Sequence, residues 1–316
     1  MKKALQVAGV ASLSVAFLAA CGGNDANDTN VENAPANNVN DTAENNAANE
    51  PAEDNTNEPA ENNANGEASE DLGTLVVGAS NVPHAEILEF AAPLLAEQGV
   101  ELEIQSFNDY ILPNQALNEG ELDANYFQHI PYLESQIEEF GYDFVNAGGI
   151  HIEPIGIYSQ DYATLEELPE GADIIMSSSV ADHGRILRLL EEEGLITLAE
   201  GVGINATLDD IEENPNNFNF QDNVEAALLP TAFENNEGDA ILINSNYALD
   251  AGLNPLEDSI AIEAGDSENP YVNVIAVNSG DEDDPRVQTL VDVLLSDEVR
   301  DFILEEYNNA VVPAEQ

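Results

Sequence analysis

The sequence predicts an α/β body made of two lobes, and three observations carry that expectation. Short apolar runs alternate with amphipathic stretches in the order strand, helix, strand, the pattern of a parallel sheet flanked by helices. The alternation continues over about 245 residues from Leu72 onward, which suits two lobes better than one overgrown domain. Hydrophobic residues make up 43% of the chain, enough for a real core.

Leu75-Val76-Val77-Gly78 opens the body as a short buried strand. Pro83 suits the first turn of a helix, where Ile87, Ala91, Leu94 and Leu95 form an apolar stripe that Gly99 ends. Leu102-Glu103-Ile104-Gln105-Ser106-Phe107 alternates as the next strand. Further strands are expected at 143–145, 155–158, 173–176, 240–243 and 272–277, and helices at 185–193, 287–295 and 298–307. No repeat of 20–50 residues is visible.

The chain before this body reads differently. Lys2 and Lys3 precede an apolar run over 4–20 that is too short and too rich in small residues for a comfortable transmembrane helix. The run ends in Leu18-Ala19-Ala20-Cys21-Gly22, which resembles the lipobox of bacterial lipoproteins. That resemblance implies a signal peptide over 1–20. It also implies Cys21 carrying a diacylglycerol group and a further acyl chain such as palmitate. Cys21 is the only cysteine, so it cannot form an internal disulfide or a metal cluster. Residues 21–71 are almost entirely Asn, Ala, Glu, Asp, Pro and Thr and cannot bury enough apolar surface to offset ordering. They read as a tether of roughly 40 Å root-mean-square span.

Charge removes whole classes of function. The 316 residues carry 63 Asp and Glu against 6 Lys and Arg, a formal net charge of −57, so nucleic acid and anionic membrane surfaces are poor partners. Beyond Lys3 there is no lysine, and the four arginines are Arg185, Arg188, Arg286 and Arg300. A surface this acidic, with arginine kept and lysine lost, suits a halophilic or haloalkaliphilic setting, where salt screens self-repulsion and a guanidinium keeps its charge.

No Gly-x-Ser-x-Gly elbow, Walker loop or His-Glu-x-x-His pair is present, and the expectation is a protein without catalysis or cofactor. Gly201-x-Gly203-x-x-Ala206 imitates a dinucleotide fingerprint but does not follow a strand in the required way. His151-x-Glu153 can place two metal-capable groups on one strand face, yet His84, His129 and His183 lack ligand spacing, so no metal site is expected. Arg185 follows Gly184 at the expected start of a helix after a strand, a position where α/β sheets bind anions. It could equally be an ion-paired surface arginine, as Arg188 is expected to be through Glu191 and Glu192. Asn125-Tyr126-Phe127-Gln128-His129-Ile130-Pro131-Tyr132, with Tyr110 upstream, reads either as core aromatics at helical spacing or as a half-open aromatic pocket.

Several of these stretches together resemble the methionine-binding lipoproteins of ABC importers. They include Val82-Pro83-His84-Ala85-Glu86, Asp109-Tyr110 with Pro113-Asn114, Phe127-Gln128-His129-x-Pro131-Tyr132 and His151-Ile152-Glu153-Pro154. Gly184-Arg185, Asn244-x-Asn246-Tyr247 and Ser267 with Pro270-Tyr271-Val272-Asn273 complete the set. The resemblance implies a type II periplasmic-binding-protein fold, with lobe 1 over 72–155 and 265–316, lobe 2 over 156–264, and a ligand cleft between them. It assigns the ligand carboxylate to Arg185, polar contacts to Asn244 and Asn273, and the thioether to Tyr110, Phe127, His129 and Tyr132. One departure stands out. Where the family usually reads Pro-Asn-Asp-Pro-Thr-Asn-x-Gly-Arg, this chain has Ser177-Ser178-Ser179-Val180-Ala181-Asp182-His183-Gly184-Arg185, so Asp182 replaces an amide.

The implied function is capture of methionine or a close derivative outside the cytoplasmic membrane. The lipid-anchored protein would then deliver it to a permease driven by an ATPase. A metal-capturing lipoprotein on the same fold is the alternative, and four dispersed histidines speak against it.

Overall fold

The computed structural model describes residues 70–265 and 269–314. The lipobox with Cys21, the tether and Ser267 lie outside the described residues. Among those described, no helix is long and apolar enough to cross a membrane.

Eleven of the strands build two larger sheets. The chain runs β1 (Gly73–Ser80), α1 (Glu86–Glu97), β2 (Val100–Phe107), α2 (Leu112–Glu119), β3 (Ala124–His129), α3 (Ile130–Phe140) and β4 (Phe144–Ile152). It continues through β5 (Gly156–Tyr158), β6 (Asp173–Ser177), α4 (Val180–Glu192), β7 (Thr197–Leu198), β8 (Ile211–Glu213) and β9 (Asn219–Val224). Then follow α5 (Leu229–Glu234), β10 (Ala240–Ile243), α6 (Ser245–Asp250), β11 (Ala261–Ile262), β12 (Val272–Asn278), α7 (Pro285–Leu294), α8 (Asp297–Glu306) and β13 (Val312–Pro313).

The first sheet has the order β13-β4-β12-β3-β1-β2 and the second β11-β5-β10-β6-β9, while β7 and β8 pair apart. The chain therefore crosses between the large sheets after β4 and returns after β11. The expectation of a parallel sheet needs correction: β2, β1 and β3 are parallel, but β12 runs antiparallel to both β3 and β4. The cause is the return crossing, which feeds β12 into the middle of the first sheet from the opposite end.

Burial explains the elements. In β1, Leu75, Val77 and Ala79 point into one core with Ile87, Leu88 and Leu95 of α1 and Leu290, Leu294, Val299 and Ile303 of α7 and α8. Val76 faces the opposite core, with Leu117, Leu133 and Val274. The second sheet repeats the pattern: Ile174 and Met176 pack on Ile186, Leu187 and Leu190 of α4, and Ile175 faces Leu229 and Ala232. Each fully buried Leu or Ile contributes on the order of 1.5–3 kcal/mol.

Three sequence expectations shift. Pro83 precedes α1, in a π-helical turn over Asn81–Ala85 where Val82 is extended. The aromatic run over 125–132 is not a single helix: 125–129 lie in β3 and 130–132 open α3, with Pro131 in the first turn. Every β3 residue is buried because helices or strands cover both faces, so no alternation marks the strand. Finally, α4 begins five residues before Arg185, which therefore lies in its second turn. Ser179 is the extended N-cap residue and Val180 is exposed, so apolar periodicity says nothing about this helix start.

Candidate ligand-binding site

A cavity is lined by residues from both large sheets and their connections. Tyr110 follows β2, Phe127 and His129 close β3, Tyr132 begins α3, and Asn273 lies in β12. Arg185 comes from α4 and Asn244 directly follows β10. All seven residues singled out in the sequence line this one cavity. Gln128, Glu153, Asp182, Ser245 and Asn246 line it as well. Sheet register does part of the gathering, since Asn273 pairs with His129 on one side and His151 on the other.

Arg185 is 4% exposed, and its charge is partnered. Nε donates to Glu263 Oε2 at 3.1 Å, and Nη2 donates to the same oxygen and to the Glu153 carbonyl at 2.7 Å. The guanidinium carbon stands 4.5 Å above the Tyr271 ring. Sequence reasoning missed Glu263, because it lies 78 positions away in a chain crowded with acids. The surface alternative for Arg185 needs correction: it is ion-paired, but buried, and it lines the cavity. Nη1 has no acceptor among the described residues and remains able to bind an anion. The residue before it must be glycine, since a Cβ on Gly184 would stand 1.9 Å from the Ile204 carbonyl oxygen. Ile204 belongs to a single 3-10 turn, Gly203–Asn205, inside the stretch that imitates a dinucleotide fingerprint. Elsewhere Arg188 pairs with Glu192, as its spacing predicts, and Arg286 pairs with Asp123 and Asp284.

Asp182 is 1% exposed and bridges two cavity residues. The Tyr132 N–H donates to His129 Nδ1 at 3.1 Å, which leaves Nε2 to donate to Asp182 Oδ1 at 3.0 Å. Asn244 Nδ2 donates to Asp182 Oδ2 at 3.3 Å. Burial works against the Asp182 charge, but the hydrogen bond from His129, the Arg185 guanidinium and the Asn244 amide hold its carboxyl below the usual range. Asn244 Oδ1 is buried with no hydrogen-bond donor among the described residues. A buried acceptor left this way costs about 1–3 kcal/mol, so it invites a donor from a ligand.

Beneath the cavity lies a cluster the sequence did not reveal. The histidines are not all scattered: His84, His151 and Glu153 bring their polar atoms within 4.8 Å of one another. Hydrogen bonding accounts for the arrangement. His151 Nδ1 accepts from the Tyr126 hydroxyl, so Nε2 carries the proton and donates to Glu153 Oε1 at 2.7 Å. His84 Nε2 lies 3.2 Å from the same oxygen and 3.1 Å from Asn273 Oδ1, a shared donor between two acceptors. Burial pushes His84 down to about 4 and His151 to about 3, so both rings are neutral donors. Burial also raises Glu153, with His84 and Arg185 pulling the other way. The cluster holds the Asn273 amide by its Oδ1, and Asn273 lines the cavity.

The remaining wall is aromatic. Tyr110 stands 6.1 Å from Phe127 and 5.8 Å from Tyr132, ring centre to ring centre. Its hydroxyl donates to Asn246 Oδ1 at 2.6 Å, and the Tyr132 hydroxyl donates to the Tyr110 carbonyl at 3.0 Å. Gln128 is costly to bury alone, but it exchanges hydrogen bonds with Asn114 at 2.9 and 2.8 Å and donates to Asn125 at 2.9 Å.

Two α/β lobes crossed twice by the chain, with a polar and aromatic cleft walled by both, define a type II periplasmic-binding-protein fold. Residues 75–315 match the model of the NlpA lipoprotein family, and the chain belongs to that family. It is 47% identical over 244 residues to the methionine-binding lipoprotein MetQ of Bacillus subtilis, covering 77% of this chain and 88% of that one. A putative methionine-binding lipoprotein structure from Bacillus subtilis superposes with a TM-score of 0.75 at 48% identity, covering 77% of this chain and 98% of the other. A nutrient-binding protein from Burkholderia cenocepacia, solved with methionine bound, gives 0.72 at 40% identity, covering 76% of this chain and all of the other.

Proposed function

We propose that this chain is the extracytoplasmic solute-binding lipoprotein of an ABC importer and that it captures methionine or a close derivative. The observation that carries the reading is the convergence of Arg185, Asn244, Asn273 and the aromatic residues on a single cavity. In this reading the ligand carboxylate takes Arg185 Nη1 and the Asn273 amide. The α-ammonium donates to the unpartnered Asn244 Oδ1, near the Asp182 carboxylate. Tyr110, Phe127, His129 and Tyr132 surround the thioether, whose sulfur gains modestly from aromatic contacts.

Such a ligand touches residues of both sheets, so it stabilises the arrangement in which the lobes enclose it, and no chemistry is required of the protein. Delivery follows to a membrane permease driven by a cytoplasmic ATPase. Cys21 carries the lipid anchor, residues 21–71 are the tether, and the body begins at 72 outside the cytoplasmic membrane. Mass spectrometry of the small molecule released when the purified chain is denatured tests the reading. Methionine or its sulfoxide at one equivalent supports it, and an amino acid without sulfur overturns it.

A further inference from the structure

The cavity's charges do not balance. Arg185 is neutralised by Glu263, to which it gives two of its donors. His84, His129 and His151 each have one ring nitrogen engaged as an acceptor or left without a donor, so each offers a single N–H. No other arginine of the chain lines the cavity: Arg188 pairs with Glu192, Arg286 with Asp123 and Asp284, and Arg300 is exposed. Asp182 therefore lines the cavity as a buried carboxylate whose direct side-chain partners are His129 and Asn244, with no arginine bonded to it. Beside it, the buried Asn244 Oδ1 lacks a donor among the described residues. A zwitterion brings no net charge to this surplus.

Asp182 also stands on the aromatic side. It bonds His129 and lines the same cavity as Tyr110, Phe127 and Tyr132. Tyr110, Phe127 and Tyr132 form a triangle of rings with centres 5.8–6.1 Å apart. Aromatic rings that line one cavity with a carboxylate attract a cation that is weakly hydrated.

We infer that Asp182 is a specificity-determining residue that turns this cleft toward ligands carrying an extra positive charge at sulfur, a sulfonium form of the thioether amino acid. The inference rests on the methionine reading and deepens it. A sulfonium centre keeps the shape of a branched alkyl group, so the rings that would hold a thioether can enclose it, and its charge offsets Asp182.

Calorimetry on the detergent-solubilised full chain, stripped of ligand by unfolding and refolding, tests this. Three probes are used: methionine, its S-methyl sulfonium, and homoleucine, which copies the sulfonium's shape without its charge. The sulfonium is expected to bind about tenfold more tightly than homoleucine, and Asp182→Asn to bring that ratio close to one. Homoleucine binding as tightly as the sulfonium overturns the inference on the wild-type chain alone, even where the variant fails to fold. An unchanged ratio in a folded Asp182→Asn overturns it too. Methionine binding without sulfonium binding defeats this inference only, whereas no binding by any probe defeats the methionine reading and this one together.

Discussion

Replacing Arg185 by methionine separates its two roles. The side chains of Arg185 and Glu263 are 3% and 13% exposed, so the single variant leaves Glu263 buried without its partner. Breaking a buried pair from one side costs about 3–5 kcal/mol. For a folded body of this size each kcal/mol moves the midpoint by about 2–4 °C, so a fall of about 6–20 °C is expected. The double variant Arg185→Met, Glu263→Met removes both charges, and such replacements are often neutral or stabilising. It should regain most of the lost midpoint, short of what Arg185 gives Asp182 and Glu153. Ligand affinity should not return, because the guanidinium that meets the carboxylate is gone; a loss of about 2–5 kcal/mol is expected. Thermal unfolding by circular dichroism and calorimetry with methionine read the two effects separately. Methionine binding restored in the double variant would refute the ligand role, and a double variant as unstable as the single would refute the pairing argument.

Acid should weaken the fold through the buried imidazoles. His84 and His151 titrate near 4 and 3 when folded against about 6.5 when unfolded, so their contribution is complete above pH 6.5 and is lost as pH falls through that window, with Glu153 offsetting part. Urea midpoints from pH 7 to 4 should fall more for the wild-type chain than for His151→Gln, whose side chain cannot charge; equal falls would contradict neutral burial. Gly184→Ala forces a methyl against the Ile204 carbonyl and should cost about 1–3 kcal/mol or more, seen as a lower urea midpoint with weakened methionine binding. Unfolding midpoints should rise with sodium chloride, since salt screens repulsion within a chain of formal charge −57; a flat or falling midpoint would contradict a salt-adapted surface.

Local pattern made much of the fold legible. The short apolar run of β1, the alternation in β2 and the stripe of α1 are patterns visible without coordinates. The strand β3 was opaque because both its faces are covered, and its polar residues are satisfied by Asn114, distant in sequence. The direction of β12 depends on where the chain re-enters the first sheet, which no local run encodes. The seven cavity residues were legible through motif resemblance, and periodicity alone left Arg185 and the aromatic run undecided. Glu263 and the place of His84 beside the His151–Glu153 pair were not legible, because each meets its partners from a part of the chain distant in sequence. Asp182 could be seen as a departure in sequence, but its partners His129 and Asn244 appear only in the fold.

The central claim is that this cleft holds a methionine-like amino acid through Arg185. Isothermal calorimetry of the ligand-stripped full chain with L-methionine tests it most directly. The expected result is saturable one-to-one binding that is lost in Arg185→Met. No detectable heat of binding with the wild-type chain, or an unaltered isotherm in Arg185→Met, would contradict it.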